Sequence, residues 1–215
     1  ASCLVGSEMC IRDSFMAIGA FTNLALMLRG WHFIPALLAS AVTSGVIGAI
    51  ISRPILRMSG IYLAIATLAL SIIIEDVAII AEPITGGVAG VFAPPIALFG
   101  MEIDRYATPE AFYYLCLAVL VLVTLGYLNL LRSASGRSFL AVRDSEVSAR
   151  ALGVNVARAK TLSFSLSCAI TGLAGALYAH LAQAVNYESF LVLISITLLL
   201  LSLIHISEPT RQEAI

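Results

Sequence analysis

The sequence predicts an all-α protein: a polytopic transmembrane helix bundle of about six spans, with a further short helix in a connecting loop. Three observations carry this. Hydrophobic residues make up 60% of the chain and charged residues only 12%, about half the charged share of a soluble domain. Apolar stretches long enough to cross a hydrocarbon core about 30 Å thick recur along the chain. Lys and Arg gather in alternate connections, which sets an orientation. The net charge is −1 and no basic patch is interleaved with aromatics, so nucleic acid is not expected as a partner.

The two ends read differently from the rest. SEMCIRDS at 7–14 and SLIHISEPTRQ at 202–212 resemble translated sequencing-adapter tails. Residues 1–13 and 202–215 are therefore expected to be artefactual and 14–201 to form the transmembrane domain, with the natural protein extending beyond both ends. Within it, 32–51, 60–80, 111–131 and 161–184 are predominantly apolar and 20 to 24 residues long, the length of full spans. Residues 15–28 and 189–201 are shorter and read as spans clipped by the ends. Between Glu82 and Glu110 lies a Gly/Pro-rich stretch, TGGVAGVFAPP, which reads as a surface loop or a re-entrant segment.

The connection 132–160 holds Arg132, Arg137, Arg143, Arg150, Arg158 and Lys160, and the connection before Gly60 holds Arg53 and Arg57. Both are expected on the cytoplasmic side. The 81–110 connection, with Arg105 against Glu82, Glu102, Asp104 and Glu110, is expected outside, and the alternation of spans agrees.

Close helix packing in lipid needs small residues. Ser167, Thr171, Gly175 and Ala179 recur every four residues, widened by Gly172 and Ala176; Ala41, Gly45 and Ala49 repeat the device beside Ser44 and Gly48. Helix interfaces are the reading, with pore lining the alternative. Cys116 and Cys168 sit in apolar segments as small hydrophobic filler, and no disulfide framework or metal site is indicated.

An acid in a span is a functional candidate, but Glu75 lies about 22 Å along its helix, near the outer interface. Thr85, Gly86 and Gly87 form either a simple turn or a set of backbone N–H groups open to a carboxylate or a docking protein. His180, Trp31 and His32 read as interfacial rings, with a ligand role the alternative for His180.

The loop 132–160 is long for a passive connection. Asp144 is expected to cap a helix of about two turns, with Glu146 favouring its dipole and Gly153 ending it. So short a helix needs the membrane domain or a partner to hold it; a basic loop lying on anionic lipid heads is the alternative.

GRSFLAVRDSEVSARALGVNVARAKTLSFSLSCAITGLAGALYAH at 136–180 resembles the signature region of permease subunits of bacterial branched-chain amino acid ABC importers. SGIYLAIATLAL at 59–70, ITGGVAG at 84–90 and FMAIGAFT at 15–22 are similar to further stretches of that family in the same order. The resemblance implies a permease of the bacterial or archaeal inner membrane that pairs with a homologous second permease, two cytoplasmic ABC ATPases and an external substrate-binding protein. It implies no cofactor in this chain, ATP being used by the partner subunits. It implies that the short loop helix is a cytoplasmic coupling helix, and it brings Arg143, Asp144, Glu146, Ala149, Arg150, Ala151 and Gly153 onto the ATPase-coupling loop. The EAA pattern of other ABC importers sets Gly six residues after Glu, whereas Glu146 to Gly153 is seven, so the loop carries over and single contacts do not. Family members often carry an acid aligned with Ile72, so a pathway role does not transfer directly to Glu75.

The implied function is translocation of branched-chain or related hydrophobic amino acids. A urea or amide importer permease is the alternative, followed by a secondary transporter or channel. Mid-span positions are almost all apolar or small, which disfavours ion coupling. No HExxH, GxSxG or P-loop sequence occurs, so no enzymatic chemistry is expected.

Overall fold

The computed structural model describes residues 2–55, 61–98, 101–103 and 108–186. The span expected at 189–201 and the tail 202–215 lie outside them. α1 (Ser2–Leu28) and α2 (Phe33–Ile55) form a hairpin, followed by α3 (Ile61–Ile80). After a capping segment come α5 (Pro109–Arg132), the loop helices α6 (Ala134–Asp144) and α7 (Glu146–Ala151), and α8 (Val156–Ala182). The capping segment holds α4 (Glu82–Thr85), a 3₁₀ turn at Gly87–Ala89, and strands β1 (Val91–Phe92), β2 (Ile96–Leu98) and β3 (Met101–Ile103).

Three described helices are long and apolar enough to cross a membrane: Phe33–Pro54, Pro109–Arg132 and Val156–Ala182. Their ends follow local chemistry. Pro109 sits in the first turn of α5, where its missing N–H costs no bond, and Glu110 and Arg132 complement the dipole at the two ends. Asn155 caps α8 by accepting from the Arg158 N–H at 3.1 Å, so that helix starts five residues before the apolar run expected at 161. Residues 15–28, too short alone by apolar length, continue a 27-residue helix that begins at Ser2.

The centre of the bundle is α1, α2 and α8, with α3 laid against α1. α8 crosses α1 so closely that a Cβ on Gly175 would collide with the Met16 carbonyl, and one on Gly19 with the Gly172 backbone. Against α2, Gly172 meets Ser44 and Ser40, and Gly48 meets Cys168. Polar groups also join helices: Ser165 Oγ donates to the Gly45 carbonyl across the α8–α2 seam at 2.7 Å, and Ser14 Oγ to Ser71 Oγ between α1 and α3 at 3.1 Å. With lipid as apolar as leucine, close backbone contact and such bonds are what drive helices together. α5 leaves Leu120, Leu122 and Leu125 exposed, a surface suited to hydrocarbon.

The Gly/Pro-rich stretch is an ordered cap. β1 pairs antiparallel with β4 (Ala184–Val185) just after α8, and β2 pairs with β3. Ile96 plugs the cap into a buried cluster with Phe33, Leu37, Phe112 and Ala176.

Candidate functional site

The loop 132–160 is built as two helices folded back onto the start of α8. Ser133 ends α5 and caps α6, its Oγ donating to the Leu130 carbonyl at 2.6 Å and accepting from the Gly136 N–H at 3.3 Å. The cap of α7 is Ser145, whose Oγ accepts from the Ser148 N–H at 3.3 Å. This corrects the expectation that Asp144 caps it: Asp144 is the last residue of α6 and pairs with Arg143 at 3.4 Å. Asp and Ser cap equally well. The register is decided by Ala149, which is buried with Val142, Val156 and Ala159.

Gly153 follows α7 with φ +82°, its N–H bonded to the Arg150 carbonyl at 3.0 Å. That left-handed turn strains any residue with a Cβ. Glu146 bonds Lys160 on α8 and lies 3.8 Å from Arg150 one turn on. Six residues make no stable helix by themselves; the Ala149 contact and the Glu146–Lys160 bridge hold α7. Val147 and Leu152 stand 79% and 80% exposed, with Ala151 beside them, so α7 projects an apolar knob away from the bundle.

The hydrogen bond and charge of Lys160 hold the Glu146 carboxyl below its ordinary value. With a depressed folded value, the bridge contributes fully above the ordinary carboxylate range and is lost as pH falls through the lowered value. Amide exchange in α7, corrected for intrinsic rate, is expected to stay slow down to the usual carboxylate range and to quicken below it; Glu146→Gln should remove the transition.

At the opposite end, the Thr85 hydroxyl is buried within reach of the Ala78 and Ala81 carbonyls and accepts from the Gly87 N–H at 3.3 Å. Gly86, at φ +69°, closes α4 by donating to the Glu82 carbonyl. Both glycine N–H groups are thus used inside the turn. Glu75 lies in α3, its side chain outside the described residues.

His180 is 5% exposed, which corrects the expectation of an interfacial ring. His180 Nε2 lies 2.9 Å from Asn23 Oδ1, the ring also reaches the Pro94 carbonyl, and Phe33 packs edge-on at 5.3 Å. A neutral imidazole has one N–H and cannot donate to two carbonyls. Turning the Asn23 amide so that Nδ2 donates to the ring satisfies both partners and the otherwise unpaired Nδ2. The node ties α1, α8 and the cap together.

Of the small-residue stripe on α8, Gly175 and Ala179 are buried, Thr171 is half-buried and Ser167 is exposed. The ridge against α2 runs one residue over, through Cys168 and Gly172. On α2, Gly45 meets Ala169 and Ser165, while Ala41 and Ala49 are half-buried.

The family described as branched-chain amino acid transport system / permease component matches residues 12–207. The chain belongs to this family. It is 34% identical to the high-affinity branched-chain amino acid transport system permease protein LivM of Salmonella typhimurium over 199 residues, covering 82% of this chain and 47% of that protein. The same protein of Escherichia coli is 33% identical over 198 residues with the same coverage, and a probable branched-chain amino acid transport permease of Methanocaldococcus jannaschii is 27% identical over 143 residues, covering 66% of this chain and 41% of that protein. The chain thus spans about half the length of the curated relatives it matches. No solved structure matches. Within this permease family chain, reasoning from sequence passed over α6, the Ser145 cap and the Asn23–His180–Pro94 node. Ser133 and Ser145, each preceding a helical stretch, were the available signals for the first two; nothing in the sequence pairs Asn23 with a residue 157 positions away.

Proposed function

We propose that the chain is the membrane-spanning permease subunit of an ATP-binding-cassette importer that moves branched-chain or related hydrophobic amino acids across a bacterial or archaeal inner membrane. The observation that carries this is the identity with branched-chain amino acid permeases along 82% of the chain. In this reading a homologous second permease completes the bundle, an external protein delivers substrate at the cap, and two cytoplasmic ATPases grip the 132–160 loop. ATP is used by those partners, and this chain moves without catalysing a reaction. The exposed Val147 on α7 and Leu152 just after it supply the apolar knob such a grip needs, and the Glu146–Lys160 bridge transmits its movement to α8. An apolar cavity of about 580 Å³ between α1, α5 and α8, lined by Met16, Phe112, Cys116 and Leu177 among others, is roomy enough for an aliphatic side chain.

Uptake of labelled leucine, isoleucine, valine and urea in a transport-null host carrying the complete system tests this. Uptake of the three amino acids, dependent on this subunit, is expected. Urea uptake without amino-acid uptake would move the assignment to the amide importers.

A further inference from the structure

A second cavity, about 620 Å³, opens at the loop end of the bundle where α2 and α8 end. Four cations line it: Arg53 from the last turn of α2, Arg150 from α7, and Arg158 and Lys160 from the first turns of α8. Its remaining walls are mostly apolar, with Ala49, Val156, Ala157 and Leu162. Against these cations stands the carboxylate of Glu146, already shared by Lys160 and Arg150. Among the described residues Arg53 and Arg158 carry no ion pair, and the α8 N-terminus adds its own positive end.

We propose that this cavity is a phosphate site occupied by the headgroup of an acidic phospholipid from the adjoining leaflet. A compact anion fits the excess of cations, and Arg53, Arg150 and Arg158 are exposed enough to reach it. The cavity lies at the ends of two membrane-spanning helices, the depth of the headgroup layer, and its apolar walls continue along α2 and α8 toward the hydrocarbon. Basic recesses between helices at this level are where acidic lipids are retained. The site includes Arg150 and Lys160, so a bound phosphate would also brace α7 against α8. It stands whatever solute the chain transports.

The test uses the full-length permease with its partner subunits in nanodiscs of phosphatidylcholine, with and without phosphatidylglycerol. Native mass spectrometry counts retained lipid, and hydrogen exchange follows amides 156–162. Selective retention of phosphatidylglycerol and its protection of those amides are expected. Each cation removed should weaken the effect about fivefold, so R53Q/R158Q should weaken it about 25-fold if the two add. Unchanged unfolding in pure phosphatidylcholine would show that this double variant still folds. Equal retention by wild type and double variant would overturn the proposal. So would equal protection by inorganic phosphate in detergent, which assigns the site to a free anion, or full protection by the ATPases alone in pure phosphatidylcholine, which assigns it to a protein contact.

Discussion

Gly175→Val is expected to destabilise the bundle by about 3 kcal/mol or more. The Cβ of any residue at 175 would overlap the Met16 carbonyl, and that neighbour is backbone, which cannot swing aside. α1 and α8 would have to separate along the seam that also holds Gly19 against Gly172. Separation removes close-packed contact, the main attraction between helices in lipid. Overpacking a well-filled core costs about 1–3 kcal/mol where side chains can move, and a backbone collision belongs at or beyond the upper end. Reversible unfolding in mixed detergent micelles should show the loss. Gly126→Val supplies the control, since a Cβ there meets nothing within 4 Å and should alter stability by less than about 0.5 kcal/mol. Equal stability of the two variants would refute the crossing.

The contrast between positions 175 and 126 also marks how far the sequence could be read. Helix existence was legible because length and hydropathy decide it in lipid, and backbone bonds leave few alternatives to a helix there. Which face of α8 packs was legible only to within one residue. Small residues occupy most of its surface between Ser165 and Ala179, so spacing alone could not separate the exposed Ser167 from the buried Cys168 and Gly172. The 132–160 loop was legible as a helix stop at Gly153 and as charge, whereas its cap shifted from Asp144 to Ser145 because burial of Ala149 fixed the register. The cap over the far end was opaque. Its two-residue strand pairs with residues just past α8, about 90 positions on, and its anchor to His180 depends on a fold that brings three distant elements together. Non-local polar contacts of this kind leave no periodic trace.

Reversing the charge at position 146 is expected to separate ATP hydrolysis from transport. Glu146→Lys would set three cations together, with Arg150 and Lys160, and remove the bridge that ties α7 to α8. α7 would still be capped by Ser145 and seated by Ala149, so in the proposed importer the subunit should insert and bind the ATPases. Movement of the ATPases would then displace α7 without rotating α8. Uptake by the complete transporter should fall about tenfold, within the range typical of coupling between distant sites, while ATP hydrolysis persists. Gly153→Leu should act in the same direction by straining the left-handed turn that ends α7, at a cost of about 1–2 kcal/mol. The charge swap Glu146→Lys/Lys160→Glu separates a broken bridge from a lost ATPase contact. It restores the bridge with the signs exchanged, so recovery of uptake would assign the effect to the α7–α8 link. Failure to recover would assign it to a direct contact between Glu146 and the ATPase. A parallel fall in uptake and hydrolysis would instead mean that the loop governs assembly, and the coupling role of α7 would be lost.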